Sequence, residues 1–93
     1  MFLEIVTPEA ILFSSEVTSV AAPGINGEFQ MLNNHAPVVS ILSKGTVKIL
    51  ADNNAVDDKY ADKFTKSSDG RLAFEINSGT LEMKDNKVII LAD

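Results

Sequence analysis

The sequence feature that most restricts the fold is a repeated pattern of short apolar segments between residues that favour turns. The segments are rich in Val, Ile, Thr and Phe and have no sustained helical stripe, which is typical of β-strands. The predicted strands are Phe2–Val6, Ile11–Ser14, Glu16–Ala22, Gly27–Leu32, Val38–Leu42, Gly45–Asp52, Lys59–Thr65, Leu72–Ser78, Gly79–Lys84 and Lys87–Ala92. Some ten short strands predict an all-β protein, a flattened β-sandwich or barrel, because two sheets packed face to face bury the apolar side of each.

Residue pairs that favour turns separate these strands. The pairs are Pro23-Gly24, Asn33-Asn34, Lys44-Gly45, Asn53-Asn54, Asp69-Gly70 and Asp85-Asn86. The last pair lies between Thr80–Lys84 and Lys87–Leu91, which both have strand character. We therefore expect a hairpin with a two-residue loop at Asp85-Asn86.

Residues 52–71 are the most polar part of the chain, so we expect them to form an exposed excursion from the core. The strand predicted at Lys59–Thr65 belongs to this excursion. A helical alternative stays open there, because Val56, Tyr60 and Phe64 recur at positions i, i+4 and i+8.

Length and composition limit the function classes. The chain has 93 residues, of which 45% are hydrophobic, and we expect one globular domain over residues 1–93. A formal net charge of −5 disfavours nucleic acid as a partner, because phosphate backbones repel an acidic surface. The longest apolar run, Val88–Ala92, is far shorter than a membrane span, and the N-terminus has no signal-peptide pattern. Any membrane association is therefore expected to be through a partner.

Patterns that carry catalysis or ligand binding are absent from the sequence. The chain has no cysteine, its only histidine is His35, and no glycine motif that cradles phosphates occurs. The acidic residues are dispersed over several predicted strands, which is typical of solvated surface rather than of an acid–base pair. The sequence thus predicts no catalytic residues, no metal site and no cofactor. His35 has two interpretations, a loop residue whose ring bonds to nearby backbone or a residue of an interface.

One segment is unusually dense in specific residues. Pro23-Gly24 is followed by Gly27-Glu28-Phe29 and then by Leu32 with His35-Ala36-Pro37. Phe29, Met31 and Leu32 read most simply as alternating core and surface residues, and an exposed partner contact among them is the alternative.

Together with further short motifs, this segment resembles the epsilon subunit of rotary F-type ATP synthases over nearly the whole chain. The further motifs are Thr7-Pro8-Glu9, Phe13, Leu42, Gly45, Gly79-Thr80-Leu81-Glu82-Met83 and Asn86-Lys87-Val88. The resemblance implies a ten-stranded β-sandwich, which agrees with the strands predicted from the residues.

The resemblance also implies a function. It predicts a non-catalytic central-stalk subunit of the proton-translocating ATP synthase that binds the gamma subunit and the c-ring and couples ion-driven rotation to ATP synthesis. The chain would be a peripheral subunit at the cytoplasmic face of the bacterial inner membrane, and this domain would bind no nucleotide. The alternative from another class is a stand-alone β-sandwich module that binds a protein or ligand by a sheet edge.

Two groups of site residues follow from the resemblance. The residues expected at the c-ring are Asn26, Gly27, Glu28 and Phe29. Those expected at the gamma subunit or another interface are Leu32, His35, Ala36, Pro37, Leu81 and Met83. Because a standard interface buries roughly 800 Å² on each partner, one sheet face or edge is also expected to be unusually apolar.

Several positions depart from the family's usual pattern. Ala10 and Gln30 stand where the family usually has glycine, and Asn33-Asn34 replaces a Pro-Gly pair. Asn also tolerates the left-handed conformation, so the turn is expected to survive. The family normally continues past the position of Asp93 into a helical hairpin, so we expect no C-terminal helical domain in this sequence.

Overall fold

The computed structural model describes residues 1–51 and 58–93, and these form β-strands and one short 3-10 helix. The strands are β1 (Phe2–Val6), β2 (Ile11–Glu16), β3 (Ser19–Gly24), β4 (Gly27–Leu32), β5 (Val38–Leu42), β6 (Gly45–Leu50), β7 (Thr65–Lys66), β8 (Leu72–Ile76), β9 (Gly79–Lys84) and β10 (Lys87–Ala92). The 3-10 helix η1 spans Asp58–Lys63. The predicted all-β, ten-stranded fold is confirmed. Among these residues no helix has the length and apolar character of a membrane span.

The strands form one continuous hydrogen-bonded sheet, which folds over itself into two layers. Along this sheet the strands are β2-β1-β10-β9-β5-β3-β6-β8-β7, and β4 pairs with the other side of β3. The two halves are joined by one residue pair, Gly24 of β3 with Leu42 of β5. The first layer is therefore β2-β1-β10-β9-β5, and the second is β4-β3-β6-β8-β7.

The core lies between the two layers and follows the period of two that strand geometry imposes. Leu3 and Ile5 of β1 and Val20 and Ala22 of β3 belong to one hydrophobic cluster, whereas the intervening residues Glu4 and Ala21 do not. The large side chains that are fully buried in this cluster are Phe13, Leu3, Ile5, Met31, Leu42, Ile49, Leu81, Met83, Ile90, Val20, Val47 and Val88.

An irregularity in β2 adds one core residue. Ile5 pairs with Phe13 but Val6 pairs with Ile11, so Leu12 is an extra residue in the β1–β2 ladder. Such a β-bulge turns two successive side chains to one side. Leu12 and Phe13 are accordingly both buried, and Ile11 points to the outer face.

The β9–β10 hairpin matches its prediction. Lys84 pairs with Lys87, and the two loop residues Asp85 and Asn86 have φ angles of 52° and 60°. Positive φ at both positions gives the turn the twist that the flanking strands require. The strands predicted at Phe2–Val6, Gly27–Leu32, Val38–Leu42, Gly79–Lys84 and Lys87–Ala92 have the predicted bounds.

Other boundaries differ. Pro23 and Gly24 are the last residues of β3, and the turn is formed by Ile25 and Asn26. Proline is tolerated there because its nitrogen does not have to donate within the ladder at a strand end. Glu16 ends β2 instead of opening the next strand.

The strand predicted at Lys59–Thr65 is wrong, because η1 occupies most of it and β7 begins only at Thr65. In a strand Tyr60, Asp62 and Phe64 would share one face. A strand that buries Phe64 would therefore also bury the carboxylate of Asp62, which is unfavourable. The helical alternative was closer to the observed structure. The predicted turn at Asn53-Asn54, the residue Val56 and the end of the predicted strand at Asp52 lie outside the described residues.

Candidate functional site

The two predicted groups of site residues lie at opposite ends of β4. Asn26, Gly27 and Glu28 surround its start, whereas Leu32 is its last residue and His35 follows it. Five residue steps separate Gly27 from Leu32, which is roughly 17 Å along an antiparallel strand. The dense segment from Pro23 to Pro37 therefore contributes to two separate surfaces.

The β3–β4 turn presents the first group. Gly27 has a φ of 120°, a conformation that glycine adopts without steric cost. A Cβ atom on Gly24 would lie 2.9 Å from the ring of Phe29, so the turn closes tightly over that ring. Phe29 itself is half-buried and packs against the core. Asn26, Gly27 and Glu28 are thus the more exposed members of this group.

Glu28 has a cationic neighbour that its sequence position does not suggest. The Nζ of Lys48 on β6 lies 3.5 Å from the Oε1 of Glu28. The Lys48 side chain is 33% exposed and that of Glu28 is 53% exposed. Exposed ion pairs contribute about 0 to 1 kcal/mol, so this pair orients the carboxylate more than it stabilises the fold.

The second group begins in an ordered loop after β4. The backbone N–H of His35 donates to the carbonyl of Leu32 at 3.2 Å, and its ring Nδ1 donates to the carbonyl of Ala36 at 2.7 Å. Asn34 has a φ of 63°, and its N–H donates to the Oδ1 of Asn86 at 2.8 Å. His35 therefore bonds to nearby backbone, as the simpler interpretation predicts. Leu32, His35, Ala36 and Pro37 are all exposed.

Leu81 and Met83 do not belong to a partner-facing surface, and this corrects the prediction. Each is 1% exposed and lies in the hydrophobic core. The reason is the alternation of β9, which turns Leu81 and Met83 inward and Thr80 and Glu82 outward.

The predicted apolar face exists on the outer side of the first layer. The register places Ile11 beside Val6, Val6 beside Leu91, Leu91 beside Thr80, and Thr80 beside Ile41. Ile11, Leu91 and Ile41 are 54%, 52% and 61% exposed. We call Ile11, Val6, Leu91 and Ile41 the apolar stripe. Its last residue adjoins the β3–β4 turn, since the N–H of Ile25 donates to the carbonyl of Ile41 at 3.3 Å.

Sequence patterns could not single out the members of the stripe. Leu91 lies within the continuous apolar run Val88–Ala92, in which inward and outward residues look alike. The alternation of β10 buries Val88, Ile90 and Ala92 and leaves Leu91 outside. The ladders with β9 and β1 then bring Leu91 beside residues that are distant in sequence.

A cavity of about 450 Å³ opens at the side of the sandwich between the loop before β2 and strand β8. Leu12 and Phe74 are among its lining residues, as are Glu9, Glu75 and Lys63. No group of three or more metal-ligating side chains occurs in the described parts of the chain.

Comparison with known proteins identifies the fold and its relatives. The family model for the ATP synthase delta/epsilon chain β-sandwich domain matches residues 1–93. The ATP synthase epsilon chain of Chlorobium limicola is 38% identical over 91 residues, covering 98% of this chain and 86% of the relative. The ATP synthase epsilon chain of Campylobacter curvus is 40% identical over 93 residues, and this chain spans 60% of that longer relative.

Two solved structures with the same fold are chains of mitochondrial complexes. A chain in the Tetrahymena thermophila mitochondrial ATP synthase central stalk and c-ring superposes with a TM-score of 0.72 at 17% identity, covering 99% of this chain and 62% of that one. A chain of the Euglena gracilis mitochondrial ATP synthase gives 0.73 at 17% identity, with 97% and 48% covered. At this identity the two likenesses show the shared fold.

Proposed function

The chain belongs to the family of ATP synthase delta/epsilon-chain β-sandwich domains, and from this we propose that it binds the gamma subunit and the c-ring in the rotor of the proton-translocating ATP synthase. As a member of this family it is a non-catalytic subunit of the complex. Its proposed role is to couple ion-driven rotation to ATP synthesis. The observation that carries the proposal is the family match over residues 1–93.

The apolar stripe supports a protein partner on the first layer. Its three large, exposed side chains lie in one row that crosses five strands, β2-β1-β10-β9-β5, where an isolated monomer would leave them in water. Burial of apolar area contributes about 25 cal/mol per Å², which makes such a row a natural centre for an interface. We assign this face to the gamma subunit.

The β3–β4 turn is the proposed contact with the c-ring. Asn26, Gly27 and Glu28 are exposed at one end of the sandwich, and Glu28 supplies a carboxylate for basic groups on the ring loops. Because the backbone of Ile25 is hydrogen-bonded to that of Ile41 in the apolar stripe, this end of the sandwich adjoins the proposed gamma face. Leu32, His35, Ala36 and Pro37 lie at the far end, so a role for them requires a second contact of the gamma subunit.

This assignment implies a location. The chain would be a peripheral subunit at the cytoplasmic face of the bacterial inner membrane, in contact with the membrane only through the complex. It would bind no nucleotide or cofactor.

Co-purification with the gamma subunit of its own organism tests the function. We expect a stoichiometric complex and no ATPase activity of the chain alone. Ile41→Asp should weaken the complex by about fivefold or more, which corresponds to the roughly 1–3 kcal/mol that loss of an apolar interface contact costs. Leu50→Asp is the matched control, because Leu50 is an exposed apolar residue of the second layer.

Two outcomes would contradict the assignment. If the unmodified chain does not bind its gamma subunit, the stand-alone binding module becomes the better hypothesis. If Leu50→Asp weakens the complex as much as Ile41→Asp does, the gamma subunit binds the chain, but by another face.

A further inference from the structure

Glu28 and Lys48 meet across a strand that lies between them. Glu28 pairs with Pro23 of β3, and Lys48 pairs with Ala21 of the same strand. Ala21 and Pro23 are two residues apart and hence on one face, the outer face of the second layer. The two charged side chains therefore reach towards each other over β3, where the small residues beneath leave room for them.

The register of β3 and β6 places Lys48 beside Ala21. Val20 and Ala22 point into the core, so Ala21 between them points to the outer face. Ala21 is nevertheless only 2% exposed. Its two ladder partners on the outer face are Lys48 and Gln30. Long side chains commonly cover apolar surface with their methylene groups and keep the polar head in water. Such packing fixes where the ammonium of Lys48 can lie.

The carboxylate of Glu28 thus has an internal counter-ion before any partner binds. Lys48 engages its Oε1, and among the residues whose side chains the structure describes, 1–51 and 61–93, Glu28 has no other side-chain ion pair or hydrogen bond. A basic group of the c-ring must therefore share the carboxylate with Lys48. We propose that Lys48 is a positioning residue that competes with the ring for the carboxylate of Glu28 and so weakens the attraction of Glu28 for the ring. This inference rests on the proposed contact between Glu28 and the ring.

The expected size of the effect follows from the exposure of the pair. Exposed ion pairs change an equilibrium constant by up to about fivefold, and salt screens the part that acts through water. Removal of the Lys48 charge should strengthen ring binding within this range, and the gain should fade as the salt concentration rises.

The test measures binding of the chain, in complex with its gamma subunit, to detergent-purified c-ring at low and high salt. Lys48→Met removes the charge and keeps a long apolar stem over Ala21. We expect it to bind up to about fivefold more tightly at low salt, with little difference at high salt. Lys48→Arg should stay within about twofold of the unmodified chain, because it restores the charge. The Lys48→Met effect should vanish when Glu28→Gln is also present.

Failure of this inference can be told apart from failure of the proposed ring contact. Unchanged or weaker binding of Lys48→Met, or the same gain with Glu28→Gln present, would overturn the role of Lys48. A double-mutant cycle on the unfolding of the free chain measures the pair without the ring, and an absent coupling would also overturn it. If that coupling is present but Glu28→Gln alone binds the ring like the unmodified chain, Glu28 does not contact the ring. In that case Lys48 cannot influence ring binding through Glu28.

Discussion

At the scale of single residues, nearby backbone atoms determine whether a glycine can be replaced by a residue with a side chain. Gly79 is the first residue of β9 and pairs with Ala92, and a Cβ atom on it would collide with the carbonyl oxygen of Leu91. A backbone atom cannot move aside as a flexible side chain does. Gly79 is therefore required by the close approach of two strands, whereas Gly70 is a residue of the β7–β8 turn with a φ of 86° and open space around it.

Gly79→Ala should lower the free energy of unfolding by about 1–3 kcal/mol, because the clash forces the β9–β10 ladder apart. Urea denaturation measures the change. Gly70→Asn serves as the control, since Asn tolerates positive φ, and it should change the stability by less than about 1 kcal/mol. Equal losses in the two variants would show that the close contact at Gly79 is not the cause.

At the scale of elements, the β7–β8 hairpin depends on one carboxylate in its turn. The Oδ1 of Asp69 accepts from the hydroxyl of Ser67 and from the N–H of Arg71 at 3.1 Å, and its Oδ2 accepts from the Nε of Arg71 at 2.8 Å. The Ser67 hydrogen bond is the main cause that lowers the pKa of Asp69 from 3.8 to about 2, with the Arg71 backbone and side chain next. Each of these donors favours the charged form.

This turn should become less stable in acid. Because the pKa of Asp69 is lowered in the folded chain, its contribution is fully present above pH 3.8 and is lost as the pH falls through about 2. Amide hydrogen exchange in β7 and β8 between pH 4 and pH 2 measures the loss. Asp69→Asn should remove this pH dependence and Ser67→Ala should reduce it. The same dependence in Asp69→Asn would assign it to another group.

At the scale of the whole molecule, aromatic rings close one side of the sandwich. Phe64, directly after η1, lies with its ring centroid 6.1 Å from that of Phe13 and 5.1 Å from that of Phe74. Phe13 belongs to β2 of the first layer and Phe74 to β8 of the second. The ring of Phe64 thus packs against two strands that are not hydrogen-bonded to each other.

Phe64→Ala should lower the free energy of unfolding by about 3 kcal/mol, since it removes a buried ring from between the layers. Thermal or chemical unfolding measures this loss. Leu32→Ala is the matched control, because Leu32 is exposed, and it should cost less than about 1 kcal/mol. Similar losses in both variants would mean that Phe64 does not close the core.

Local chemistry in the sequence determined the strand segments and the tightest turn. Asp and Asn tolerate positive φ, so Asp85 and Asn86 suit a two-residue turn, and the short apolar run Val88–Ala92 is typical of a strand. The strand predicted at Lys59–Thr65 is wrong because the local pattern does not reveal that Phe64 enters the core while Ala61, Asp62 and Lys63 stay exposed.

The tertiary structure decided which faces and which neighbours these strands have. A period of two defines two faces for β9 but does not say which is covered, so Leu81 and Met83 could be placed only by the second layer packed against them. The apolar stripe and the pair of Glu28 with Lys48 depend on registers between strands that are far apart in sequence. Such registers are set by the packing of the whole core, and no single segment carries that information.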